Sequence, residues 1–169
     1  MSDSHTPEQR VRRTAPHPVT LLPRPYRPLV ARLFSELNEY VTRSRWGRVL
    51  NGVDVVLDRR ADLVLTPDIT FIVEGRGSIV RERIWGPPDM VLDVTSPLTH
   101  SGQLEARVAW FSGAGVREFW LVQPDRRELV ILDLAHGGVR RRTLLGDSAP
   151  MNSVLLPDFN KTLCQMMRR

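Results

Sequence analysis

The stretch Met90-Val91-Leu92-Asp93-Val94 governs the interpretation of the sequence, because it places a carboxylate inside an otherwise apolar run. Such a run is typical of a strand that is buried on both faces of a sheet. Burial of an unpaired carboxylate costs several kcal/mol. The stretch therefore predicts a strong partner for Asp93, which could be an arginine, several backbone donors or a cation.

A second carboxylate opens the neighbouring apolar stretch. Asp68 follows Pro67 and precedes a predicted strand at 69–73. If this strand pairs with the strand at 90–94, Asp68 and Asp93 can converge near one edge of the sheet, and paired carboxylate oxygens suit Mg²⁺. A Pro-Asp pair is also typical of a simple turn or cap, and a buried arginine alone could satisfy Asp93. Both alternatives stay open at this point.

The elements around these strands alternate in type. Apolar spacing predicts one helix from Arg27 to about Thr42 and another from Ser101 to about Ser112. Further strands are predicted at 48–50, 53–57, 118–122, 128–132, 138–145 and 153–156, with a charged irregular loop at 74–86 and a short C-terminal helix. This order predicts a single α/β (α+β) domain over residues 25–169, in which helices flank a mixed β-sheet.

Composition excludes several classes of protein. A chain of 169 residues with 41% hydrophobic residues can form one core. No stretch approaches the roughly 18 apolar residues of a membrane span, and the start lacks the apolar segment of a signal peptide. We therefore expect a cytoplasmic protein with no membrane partner. The single cysteine, Cys164, excludes an internal disulfide and a thiolate zinc cluster.

Charge allows a polyanionic partner but does not identify one. The formal net charge is +5, and Lys161 is the only lysine, so nearly all positive charge comes from arginine. Residues 1–24 are rich in proline and arginine and predict a flexible tail.

Several blocks of sequence together carry a family resemblance. They are Pro67-Asp68-Ile69, the run Pro88-Asp89-Met90-Val91-Leu92-Asp93-Val94-Thr95-Ser96-Pro97-Leu98-Thr99, the run Gly115-Val116-Arg117-Glu118-Phe119-Trp120-Leu121-Val122-Gln123-Pro124, and Leu156-Pro157-Asp158-Phe159. In spacing and order they resemble the Uma-two family of restriction endonucleases, within the PD-(D/E)xK superfamily. The resemblance implies a restriction-endonuclease-like fold, a Mg²⁺ (or Mn²⁺) cofactor and a nucleic-acid substrate, first of all double-stranded DNA.

The resemblance also implies roles for individual residues. Asp68 matches the first acidic metal ligand of the family, and Asp93 matches the second, which is usually glutamate. Thr95 stands two positions further on, where the wider superfamily has lysine. Arg107 takes the place of a family lysine on the following helix, and Gln103 that of a family aspartate. Arg107 would stabilise the transition state electrostatically, but it cannot act as a base, because guanidinium does not lose its proton at working pH.

Other charged residues are weaker candidates. Glu36 and Glu39 on the first predicted helix could add an outer-shell carboxylate to the site. Arg140 and Arg142, on the predicted strand at 138–145, could follow a phosphate backbone, although a solvated sheet edge explains them equally well.

Two functions are consistent with the sequence. The first is a Mg²⁺-dependent endonuclease that cleaves DNA at Asp68 and Asp93, favoured because both acids are present. The second is a catalytically degenerate module of the same fold that binds nucleic acid or a protein partner without cleavage, favoured by the changes at Gln103 and Arg107. A homodimer is compatible with either function.

Overall fold

The computed structural model describes residues 26–97 and 99–168, so the tail predicted at 1–24 lies outside the described residues. Within these residues there are three helices and nine strands. The helices are α1 (Arg27–Ser44), α2 (Ser101–Ala114) and α3 (Leu163–Met167), and the strands are β1 (Gly47–Asn51), β2 (Val55–Asp58), β3 (Leu63–Leu65), β4 (Ile69–Val73), β5 (Ile84–Trp85), β6 (Met90–Val94), β7 (Glu118–Gln123), β8 (Glu128–Ala135) and β9 (Gly138–Gly146).

Six strands form the main sheet, in the order β1-β4-β6-β7-β8-β9. Strands β6 and β7 are parallel, and the other neighbours are antiparallel. A smaller sheet has the order β3-β2-β5. The predicted mixed sheet with flanking helices is confirmed. In the part of the chain that is described, no helix is long and apolar enough to cross a membrane.

Strand β6 lies in the interior of the main sheet, as its apolar run predicts. All of its residues are buried. Leu92 and Val94 belong to the core that includes the buried face of α1, whereas Val91 belongs to the core that includes Phe111 of α2. Because side chains alternate between the faces of a strand, α1 and α2 cover opposite faces of the sheet. Asp93 therefore lies on the α2 face, with Val91.

The ends of the two long helices follow from local sequence. Pro28 lies in the first turn of α1, where a backbone N–H would have no hydrogen-bond partner within the helix, so its absence costs nothing. Helix α2 ends at Gly115, which adopts a left-handed conformation with φ of 98°.

Two predicted segments differ from the structure. The strand predicted at 153–156 is wrong, because this segment forms turns whose side chains at Leu155 and Leu156 enter the core. Pro157 follows directly and offers no N–H for a continuing ladder. The loop predicted at 74–86 contains β5, which pairs with β2. A two-residue strand is too short to show any hydrophobic period.

Candidate functional site

The register of the main sheet brings the two predicted acids face to face. Strand β4 runs antiparallel to β6 with Ile69 opposite Leu92, so Asp68 lies opposite Asp93 one position further on. Asp68 is 8% exposed and Asp93 is 1% exposed. Both carboxylates are therefore withdrawn from solvent at the end of the β4–β6 ladder.

Backbone hydrogen bonds hold the two carboxylates together. The Asp68 N–H donates to Asp93 Oδ1 over 3.2 Å, and the Val94 N–H donates to Asp68 Oδ2 over 2.7 Å. Each carboxylate thus accepts a bond from the opposite strand where the ladder ends. This exchange fixes the position of both side chains.

Arg107 completes the cluster from the inner face of α2. Its Nε donates to Asp93 Oδ2 over 2.8 Å, and its Nη2 lies 2.7 Å from the same oxygen. Arg107 is 3% exposed, and its guanidinium lies over the Phe111 ring, 5.3 Å from the centroid. The contact of Nη2 with Asp93 is an ion pair without the angle of a hydrogen bond, and Nη2 has no other hydrogen-bond partner among the described residues. The structure thus contains the buried arginine that the sequence left open as a partner for Asp93.

The charges in this cluster do not balance. Two ionised carboxylates and one guanidinium leave one negative charge in excess. Burial raises the pKa of Asp68 to about 7, helped by the charge of Asp93 and opposed by the Val94 N–H and Arg107. Burial also raises the pKa of Asp93, with Arg107 as the main opposing influence. Such a cluster favours a further cation or a proton.

The donor set fits a divalent ion in type and charge, with one constraint. Among the described residues, no three His, Cys, Asp or Glu side chains group so that they could hold a metal ion. Mg²⁺ needs only one or two protein carboxylates, because it keeps several waters, so Asp68 and Asp93 suffice. Arg107 nevertheless occupies Asp93 Oδ2. A metal can use this oxygen fully only if the guanidinium moves.

Thr95 and Gln103 lie next to the cluster without joining it. Thr95 is buried just beyond β6, and its hydroxyl donates to the Val122 carbonyl oxygen over 3.3 Å. Gln103 is half-buried in the first turn of α2, one turn before Arg107.

Glu36 and Glu39 lie away from the acidic pair, and the expected outer-shell role does not fit their position. Helix α1 covers the face of the sheet opposite to Asp93 and α2. Glu36 forms an ion pair with Lys161 at 2.9 Å, and Glu39 with Arg43 at 3.6 Å.

Arg140 and Arg142 are exposed on β9, which is an outer strand of the main sheet. Between them, Arg141 forms an ion pair with Asp133 at 2.6 Å. Strands β7 and β8 separate β9 from β6. These arginines therefore lie on the sheet edge and not at the acidic pair.

A cleft of about 220 Å³ opens where the parallel strands β6 and β7 end. Residues along its walls include Thr95, Ser96, Thr99, Ser101, Leu104 and Arg126. Thr95 follows Asp93 by two residues, and Leu104 precedes Arg107 by one turn, so the cleft lies near the acidic pair, although neither acid nor Arg107 lines it. Sequence reasoning missed Arg126, because Pro124-Asp125-Arg126 reads only as a turn. Arg126 could have been found from its place shortly after a predicted strand, because binding sites usually lie at the carboxyl ends of parallel strands.

Comparisons with known proteins agree with this fold. Residues 22–164 match a family model described as "Uma2: Putative restriction endonuclease". The chain is also similar to a solved structure of "a putative nuclease belonging to DUF820 from Anabaena variabilis ATCC 29413", with a TM-score of 0.66 and 14% identity over 82% of this chain and 78% of that chain. At this identity the likeness shows the fold alone. No curated protein gives a significant match.

Proposed function

This chain belongs to the Uma2 family, and from that premise we propose that it is a metal-dependent endonuclease that hydrolyses phosphodiester bonds in double-stranded DNA. The observation that carries the proposal is the meeting of Asp68 and Asp93 in a buried cluster with one excess negative charge. Arg107 stands beside them. A divalent ion in this cluster would replace the excess of one negative charge by an excess of one positive charge, which a bound phosphate would neutralise.

Each group in the cluster has a distinct role under this proposal. Asp68 and Asp93 would hold Mg²⁺ or Mn²⁺, which when bound supplies Lewis acidity and positive charge beside the phosphate. Arg107 Nη2 is buried, and Asp93 is its ion-pair partner, but Nη2 carries two N–H groups, so one of them can donate to a phosphate oxygen. A guanidinium placed there stabilises the charge that develops in the transition state.

The cleft beside the acids supports a nucleic-acid strand as the ligand. Its volume of about 220 Å³ lies below the roughly 300–1,000 Å³ of common small-molecule pockets, so it suits one backbone phosphate better than a whole metabolite. Its wall contains Arg126, which offers a positive charge, and also Asp125, whose carboxylate accepts a hydrogen bond from the Tyr26 hydroxyl. The net charge of +5 acts in the same direction at longer range.

Cleavage of supercoiled plasmid tests the proposal. The wild-type protein should nick or linearise the plasmid with Mg²⁺ or Mn²⁺ and not in EDTA. Asp68→Asn and Asp93→Asn should each lower the rate by roughly 100-fold or more, since loss of even an outer-shell partner costs about 10–100-fold. Asp133→Asn is the matched control, because this buried carboxylate pairs with Arg141 on the sheet edge. Cleavage that persists in EDTA and in Asp93→Asn would exclude the proposed site.

A second candidate function is nucleic-acid binding without cleavage. The observation that favours it is the ion pair between Arg107 and Asp93, which already gives the buried carboxylate a positive partner. The same plasmid assay, combined with duplex binding, separates the two. Tight duplex binding with no cleavage in either metal would support the binding module.

A further inference from the structure

We propose that Arg107 gates the metal site, because its guanidinium and a divalent ion compete for Asp93. A metal would then load fully only when a phosphate draws the guanidinium away. This inference rests on the proposed metal site and concerns how that site is filled. Its basis is the way in which Arg107 engages a single carboxylate oxygen.

The contact between Arg107 and Asp93 is strong and is shielded from water. Nε and Nη2 both approach Oδ2, at 2.8 Å and 2.7 Å. Both side chains are almost completely buried, so water screens their attraction weakly. A divalent ion on the same oxygen would lie next to a buried positive charge that has lost its partner. The metal and the guanidinium therefore exclude each other from Oδ2.

The sum of charges shows when the exchange becomes favourable. Without metal, Asp68, Asp93 and Arg107 carry one negative charge in excess. With a divalent ion and no phosphate, the same three residues and the ion carry one positive charge in excess. With the ion on the carboxylates and the guanidinium on a phosphate, the charges cancel. Among the arrangements in which both acids are ionised, only the last satisfies every charge, so substrate and metal should bind cooperatively.

Arg107 can donate a hydrogen bond to an acceptor other than Asp93. Its Nη2 carries two N–H groups, of which one can point at Asp93 Oδ2, and Leu104, one turn earlier on α2, lines the cleft. A phosphate oxygen in that cleft would accept from the other N–H once the guanidinium turns toward it. The resemblance implies lysine at this helix position. The compact ammonium of a lysine would not contact Asp93 through two nitrogen atoms at once, as the guanidinium does. The gate is thus a consequence of the arginine.

Calorimetric titration of the metal-free protein with Mn²⁺, without DNA, tests the gate. Arg107→Gln keeps a donor near Asp93 but removes the charge, so it should bind Mn²⁺ about tenfold tighter than wild type, or more. Arg107→Lys keeps the charge but loses the planar guanidinium, so its Mn²⁺ affinity should lie between those of wild type and Arg107→Gln. Addition of a short DNA duplex should tighten Mn²⁺ binding to wild type by a similar factor and have little effect on Arg107→Gln.

Two controls separate the gate from general effects. Arg76→Gln removes an arginine from another buried carboxylate, Asp89, and should leave Mn²⁺ binding unchanged. Asp68→Asn combined with Arg107→Gln should abolish the gain, because one ligand is lost. Thermal unfolding with and without Mn²⁺ reports the same ranking independently, since a ligand that binds the folded state stabilises it. If Arg107→Gln does not fold, Arg107→Lys carries the comparison.

The outcomes also distinguish the gate from the proposed function. Equal or weaker Mn²⁺ binding by both Arg107 variants, or no effect of DNA on wild type, would overturn the gate even if plasmid is cleaved. Tighter Mn²⁺ binding by Arg107→Gln without any plasmid cleavage would support the gate and count against the endonuclease. If neither wild type nor variants bind Mn²⁺, with or without DNA, both fail.

Discussion

The carboxyl of Asp68 changes its protonation state near neutral pH, because burial raises its pKa to about 7. An acid with a raised pKa in the folded state stabilises the fold fully below its unfolded pKa of about 4, and this contribution disappears as the pH rises through about 7. In EDTA, the protein should therefore lose about 2 to 3 kcal/mol of unfolding free energy between pH 5 and pH 8.

Urea unfolding at several pH values measures this effect. Asp68→Asn keeps an oxygen that can accept from the Val94 N–H but cannot ionise, so most of the dependence over this range should vanish. The raised pKa of Asp93 acts in the same direction and would leave a residual slope. A wild-type protein that gains stability from pH 5 to pH 8 would contradict the assignment.

The need for a partner at Asp93 could be predicted from the sequence, whereas the identity of that partner could not. The pattern of β6 alone shows that the carboxylate is buried. The partner depends on how α2 is rotated against the sheet, which no local pattern determines. One signal was present all the same: Arg107 follows Leu104 by three residues and precedes Phe111 by four, so it falls within the apolar stripe of α2.

At the scale of elements, a second buried carboxylate joins segments that are distant in sequence. Asp89, just before β6, accepts from the Val73 N–H of β4 over 3.0 Å. The same carboxylate pairs with Arg76 at 2.8 Å and Arg117 at 3.5 Å. It thus connects β4, the loop after β4 and the start of β7.

We expect Asp89→Ala to destabilise the fold by about 3 kcal/mol, because a buried N–H and the nearby guanidinium of Arg76 lose their acceptor. Arg117→Ala should cost less than about 1 kcal/mol, since this arginine is more than half exposed and its ion pair is screened. Urea unfolding of both variants gives the two values. Similar losses for both would show that the carboxylate acts mainly through Arg117 and not through the backbone.

The accuracy of the predicted elements depended on length and on burial on both faces. Strands β4 and β6 begin and end at the predicted residues, because a continuous apolar run has sharp limits. The segment 153–156 has a similar composition but contributes to the core without forming a ladder, since no described strand pairs with it. Strand pairing is a property of the tertiary structure, and a short apolar run does not encode it.

Across the whole molecule, positive charge is widespread, so net charge alone does not locate a nucleic-acid interface. The cleft favours Arg126, at the end of the sheet that carries Asp68 and Asp93, over the exposed arginines of β9. Arg126→Ala should weaken duplex binding several-fold and reduce the slope of log affinity against log salt by about 0.9, as expected for one lost phosphate contact.

Arg140→Ala is the matched control for this prediction, because Arg140 is an exposed arginine on the edge strand β9. Its salt slope should equal that of wild type if DNA follows the cleft. Fluorescence anisotropy with a labelled duplex, titrated at several salt concentrations in EDTA, gives both slopes without cleavage. A reduced salt slope for Arg140→Ala, with an unchanged salt slope for Arg126→Ala, would place the DNA interface on the sheet edge at β9. The acidic pair would then lie to one side of the bound DNA backbone.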